Sequence, residues 1–211
     1  MERALRLLVL ADNTDGWPTD AHGRWRLAQL VTETAPDAII SLGDYQAVHA
    51  RAMAAAGAPA VLGVYGNHCT ADYMPAAGIV DLVGDRSSPA KVGQLQLPDG
   101  SALRVLAVQG CVRYKPDLDD VLFTQNEYAA ALRALPGADL VITHCPPAGI
   151  NDAPDPAHVG IVALREWVDL HRPRWLLHGH TYENPARHLY GQTEVLYVSG
   201  CAVVDLELSG A

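Results

Sequence analysis

Apolar residues fall along this chain in short runs, each closed by a polar or glycine-bearing turn, and two spacings alternate. Runs at 5–11, 38–42 and 60–64 are too short and too continuous for surface helices and read as strands buried on both faces. Between them, residues 24–34 place Leu27, Leu30 and Val31 on one side of a helix, and an alanine-rich helix spans 47–56. The middle of the chain differs. Runs at 91–97 and 103–108 flank Pro98-Asp99-Gly100-Ser101, a turn signal that predicts a β-hairpin. Thr124 and Glu127 have the spacing of a capping box, which opens a helix to about Leu135. A strand at 140–143, a proline-rich loop at 146–158, a helix at 162–171, a strand at 175–178 and closing strands at 195–198 and 203–208 complete the pattern.

Strands alternating with helices predict an α/β fold, and the hairpin adds antiparallel pairing to it. A chain of 211 residues, 49% hydrophobic, has material for one sizeable core, so a single domain over 1–211 is expected. No run reaches the roughly 18 apolar residues of a membrane span, and the run before Asp12 is not followed by a signal-type cleavage site. The expectation is a soluble, cytoplasmic protein. Cys69, Cys111, Cys145 and Cys201 form no CxxC pair, so reduced thiols are expected.

A formal charge of -9 without a Lys/Arg cluster gives no electrostatic footprint for nucleic acid. An anionic ligand would therefore need a local positive charge, which a bound divalent cation supplies. Asp12 follows the first strand, Gly43-Asp44 the second, Gly66-Asn67-His68 the third, Thr143-His144 the strand at 140–143, and His178-Gly179-His180 the strand at 175–178. Five strands thus deliver metal-capable side chains at their carboxyl ends, where α/β sheets bind ligands. Taken singly, Asp12 reads as a cap, Asn67 as a turn residue and His144 as a core histidine. Five strand ends obeying one rule reverse that preference. The mixed oxygen and nitrogen donors suit Mn, Fe or Zn.

The ordered set Asp12, Gly43-Asp44, Gly66-Asn67-His68, His144, Gly179-His180 resembles the signature of the calcineurin-like metallophosphoesterases, DxH, GD, GNH, H and GHxH. The resemblance spans about 7–182 and implies two packed mixed β-sheets flanked by helices, with a two-metal site at one edge. It implies that Asp44 bridges both metals, that Asn67, His144 and His180 complete one shell, and that Asp12 binds the other metal. His68 would contact the phosphate and assist the leaving group. The implied activity is metal-dependent hydrolysis of a small phosphate ester, whether diester, nucleotide or monoester. Mn is the expected ion, with Fe, Zn and Mg as alternatives.

The pattern breaks at two places. DxH reads Asp12-Asn13-Thr14, and GHxH reads Gly179-His180-Thr181-Tyr182. Both missing histidines belong to the same metal in the family arrangement, which leaves that ion only Asp12 and its share of Asp44. Asp15, His22 and His178 are the neighbours able to fill the gap. One tightly bound ion is expected, with a second position either filled by such a neighbour or occupied only when substrate recruits a metal. The aspartate and arginine of GDxxDRG are absent after Asp44, which disfavours a protein phosphatase and leaves His68 without an evident orienting carboxylate. The losses also admit another reading: a regulatory module that binds a metal or nucleotide with little catalysis. Thiol chemistry at Cys69 beside His68 has weaker support, since no separate base is evident.

Overall fold

The computed structural model describes residues 4–97, 100–116, 119–182 and 184–208. In chain order the elements are β1 (Ala4–Ala11), α1 (Leu27–Thr34), β2 (Ala38–Ser41), α2 (Ala47–Ala54), β3 (Val61–Gly63), α3 (Met74–Ala77), β4 (Val80–Asp81), β5 (Ala90–Gln96), β6 (Ala102–Val108), β7 (Cys111–Val112), β8 (Leu122–Phe123), α4 (Gln125–Leu132), β9 (Leu140–Thr143), α5 (Val162–His171), β10 (Trp175–His178), β11 (Arg187–Tyr190), β12 (Thr193–Tyr197) and β13 (Gly200–Glu207).

The strands form two large mixed sheets, ordered β13-β1-β2-β3-β4 and β11-β12-β10-β9-β6-β5, with β7 and β8 as a small parallel pair. Antiparallel neighbours occur at β1/β13, β5/β6 and β11/β12. Alternation along each strand sorts its apolar residues between two cores. Leu7, Val9 and Ile40 from one sheet meet Ala107, Ile142 and Leu177 from the other in the layer between the sheets. On the outer faces, Leu8, Leu10 and Ile39 lie in the same cluster as Leu27 and Val31 of α1 and Met53 of α2. Val141 and Leu176 join Tyr128 of α4 and Leu164 and Trp167 of α5. The result is a helix–sheet–sheet–helix sandwich whose central strands are buried on both faces. This explains why those strands appear in the sequence as unbroken apolar runs.

Three helix ends differ from the periodic pattern, the second helix stopping at Ala54 rather than Ala56. The first helix begins at Leu27 rather than Arg24, because residues 18–26 form a turn closed by a Thr19–Trp25 bridge and by the Arg26 amide donating to Pro18. The fourth stops at Leu132, three residues before Leu135. Its capping box is formed: the Glu127 amide donates to Thr124 Oγ1 at 3.2 Å, and the Thr124 amide donates to Glu127 Oε2 at 2.6 Å. The hairpin strands pair from Ala90 opposite Val108 to Gln96 opposite Ala102. Pro98 and Asp99 of its turn lie outside the described residues.

Candidate metal centre

Both sheets present their strand ends to one cleft of about 400 Å³, lined by Asp12, Asn13, Asp44, Asn67, His68, Tyr114, Ala157, His158, His180 and Tyr182. Asp12 follows β1, Asp44 follows β2 and Asn67-His68 follows β3, so one sheet brings the two carboxylates together. His144 after β9 and His180 after β10 come from the other. Asp12, Asp44 and His144 place ligand atoms within 4.8 Å of one another.

Backbone conformation at these strand ends is unusual. Asp12, Asp44 and His180 have φ of 63°, 63° and 68°, in the left-handed region that costs a non-glycine residue about 1–2 kcal/mol. Of the six such residues described, Ala35 and Arg172 are helix C-caps, whereas these three share the cleft. The glycines beside them serve close approach as well as turning. A Cβ on Gly66 would collide with the Asp44 carboxylate, and one on Gly179 would sit 2.8 Å from Asp12 Oδ2.

Hydrogen bonds fix each donor. The His180 amide donates to both Asp12 oxygens, at 3.1 and 3.0 Å, and the His68 amide donates to Asp44 Oδ1 at 2.8 Å. His144 is fully buried. Its Nδ1 lies 2.8 Å from the Leu42 carbonyl, which only accepts, so Nδ1 carries the proton and Nε2 presents a lone pair. That lone pair faces Asn67 Oδ1 at 2.8 Å and Asp44 Oδ2 at 3.5 Å. Three acceptors converging with no hydrogen between them suit a cation, and nitrogen with oxygen donors suits a borderline divalent ion. Burial pushes the Asp12 carboxyl up to about 6, against the pull of His144.

His180 stands outside the Asp12–Asp44–His144 set. Its Nε2 donates to the Ala157 carbonyl at 2.8 Å, leaving Nδ1 as its free lone pair, and its ring centre is 4.8 Å from that of His144. Burial, reinforced by His144, pushes the His180 imidazolium down to about 2, so the ring is neutral.

None of the three neighbours able to replace the missing histidines lines the cleft. Asp15 and His22 are exposed turn residues, and His178 is buried with Nε2 against Asn151 at 2.9 Å. A carboxylate does stand beside His68, from a loop the sequence did not mark. Asp120 Oδ2 lies 3.4 Å from His68 Nδ1 and 2.6 Å from Lys115 Nζ. Asp120 and the cleft residue His158 lie in loops distant in sequence from the strand-end motifs, where neither spacing nor periodicity marks them. Asp117 and Leu118, in the segment before Asp120, lie outside the described residues. Cys69, weighed for thiol chemistry, is fully buried, and burial pushes its thiol up to about 11.

No family model matches the sequence, and no curated protein matches it. Solved structures do. The protein TT1561 of Thermus thermophilus superposes with a TM-score of 0.57 at 13% identity, covering 98% of this chain and 100% of the other. GAP50, the anchor in the inner membrane complex of Plasmodium, gives 0.55 at 11%, covering 93% and 71%. A dimetal phosphatase from Danio rerio gives 0.53 at 14%, covering 93% and 87%. The chain has a calcineurin-like fold. No helix among the described residues is long and apolar enough to cross a membrane.

Proposed function

We propose that this protein is a metal-dependent phosphoesterase that hydrolyses a small phosphate ester, whether diester, nucleotide or monoester. The observation carrying the proposal is the convergence of Asp12, Asp44, Asn67 and His144 acceptor atoms in a cleft built from both sheets. Asp44, Asn67, His144 and His180 would hold one ion, through Nε2 of His144 and Nδ1 of His180. Asp12 would face a second ion, with Asp44 between the two. A divalent ion so held supplies Lewis acidity toward a phosphoryl oxygen and a water nucleophile near neutral pH. Mn is the ion we favour for this donor set, with Fe, Zn and Mg as alternatives.

The protein's own groups do the rest. His68 is held through its amide to Asp44, its ring Nδ1 lies 3.4 Å from Asp120, and its side chain is 58% exposed. In this reading Asp120 keeps the proton on Nδ1 and aims Nε2 at the ester, and His68 protonates the leaving oxygen. The likeness to a dimetal phosphatase supports the chemistry by analogy of fold. Four free cysteines accord with the reducing cytoplasm, the setting we propose.

Tyr182 and Thr14 standing where the resemblance expects histidines favour a second reading, a metal- or nucleotide-binding module with little turnover. Assaying mono- and diester model substrates with Mn, Mg, Zn and Fe separates the two. Turnover on any ester that depends on added metal supports the enzyme, and tight metal binding with no turnover supports the module.

A further inference from the structure

His158, absent from the strand-end motifs, lines the same cleft. Its Nδ1 lies 2.8 and 3.0 Å from the two Asp155 oxygens. An ionised carboxylate only accepts, so Nδ1 carries the proton, and in the neutral ring Nε2 keeps a lone pair. A carboxylate on one imidazole nitrogen with a free lone pair on the other is the arrangement of metal-binding histidines.

Position separates this pair from an ordinary surface ion pair. The His158 ring centre is 5.1 Å from that of His180 and 5.3 Å from that of Tyr182, the residue standing where a second-metal histidine is expected. The surrounding loop is tied down: the His158 amide donates to the Asp155 carbonyl, the Ala153 amide to the His158 carbonyl, and His180 Nε2 to the adjacent Ala157 carbonyl. Asp152 anchors the loop at both ends, accepting from the amides of Gly149 and Gly160.

We propose that His158, oriented by Asp155, is the replacement ligand for the second metal, compensating the histidines missing at Thr14 and Tyr182. The proposal rests on the phosphoesterase reading for the existence of a metal centre, and it adds a ligand from a loop rather than from a strand end. It places the second ion between Asp12 and the loop at 146–158, so that metal binding and loop position are coupled.

Calorimetric titration of the full-length chain with Mn, backed by Co(II) absorption spectra, tests it without reference to turnover. The wild type is expected to bind two ions of unequal affinity. His158→Ala and the milder His158→Gln should weaken the second site by tenfold or more while leaving the first unchanged, and Asp155→Asn should weaken it about tenfold. Tyr182→His added to His158→Ala should restore the second site. Two sites of wild-type affinity in both His158 variants overturn the proposal. So does a wild type that binds one ion at saturating Mn, an outcome that leaves the phosphoesterase reading standing. Failure to bind any metal overturns that reading itself.

Discussion

His144 Nε2 and Asn67 Oδ1 lie 2.8 Å apart with no hydrogen to share, since the His144 Nδ1 proton is committed to the Leu42 carbonyl. Two buried acceptors held face to face repel unless a cation lies against both. Mn should therefore raise the melting temperature of the wild type, by about 2.7 kcal/mol of stability when the ion is at a hundred times its Kd. His144→Ala should remove that increment. Differential scanning calorimetry with and without Mn measures it.

The His68–Asp120 contact separates catalysis from metal retention. His68→Ala should lower turnover by about 10²–10⁴-fold with metal content unchanged. Asp120→Asn should give a smaller loss in the same direction. Equal loss of metal and turnover in His68→Ala would assign the residue to the metal site instead.

Gly66 is held by close approach, since an added Cβ would meet the Asp44 carboxylate. Gly66→Ala should cost about 1–3 kcal/mol and lower metal affinity. Gly93→Ala in β5, where nothing lies within 4 Å of the added carbon, should be neutral or slightly stabilising. Urea melts of the two variants, paired with metal analysis, check the contrast.

The capping box of α4 gives a pH dependence independent of the metal. Hydrogen bonds from Thr124, first from its amide and then from its hydroxyl, hold the Glu127 carboxyl below its ordinary range. The folded chain thus binds this proton less readily than the unfolded one. Its stabilising contribution is full above the ordinary glutamate range and is lost as pH falls through the lowered folded value. Glu127→Gln should flatten the acid limb of stability against pH, and Thr124→Ala should cost about 1 kcal/mol at neutral pH.

The parts of this fold readable in the sequence are those whose physics is local. Strands buried on both faces show as apolar runs, so the spans at 140–143 and 175–178 coincide with β9 and β10. The same holds for α5, whose buried Leu164, Trp167 and Val168 share one face. The elements not foreseen carry too little pattern. The helix α3 is four residues including Pro75, the strands β4, β7 and β8 are two residues each, and the edge strand β11 alternates exposed and half-buried positions without an apolar face.

The site divides the same way. Residues at strand ends are marked by position, and the structure brings Asp12, Asp44, Asn67, His68 and His180 to one cleft, with His144 against it. Asp120 and His158 come from loops whose path depends on tertiary contacts, such as Arg86 Nη2 donating to the Asp119 carbonyl and Gln125 Nε2 donating to that of Gly160. No periodicity reports such contacts.

Chelation and metal readdition on the wild type beside Asp44→Asn, followed by hydrolysis of a model phosphodiester and a model phosphomonoester, tests the central claim most directly. The account predicts turnover of at least one ester with Mn, loss on chelation, recovery on readdition and no recovery in Asp44→Asn. Hydrolysis that survives complete metal removal, or that persists undiminished in Asp44→Asn, would contradict it.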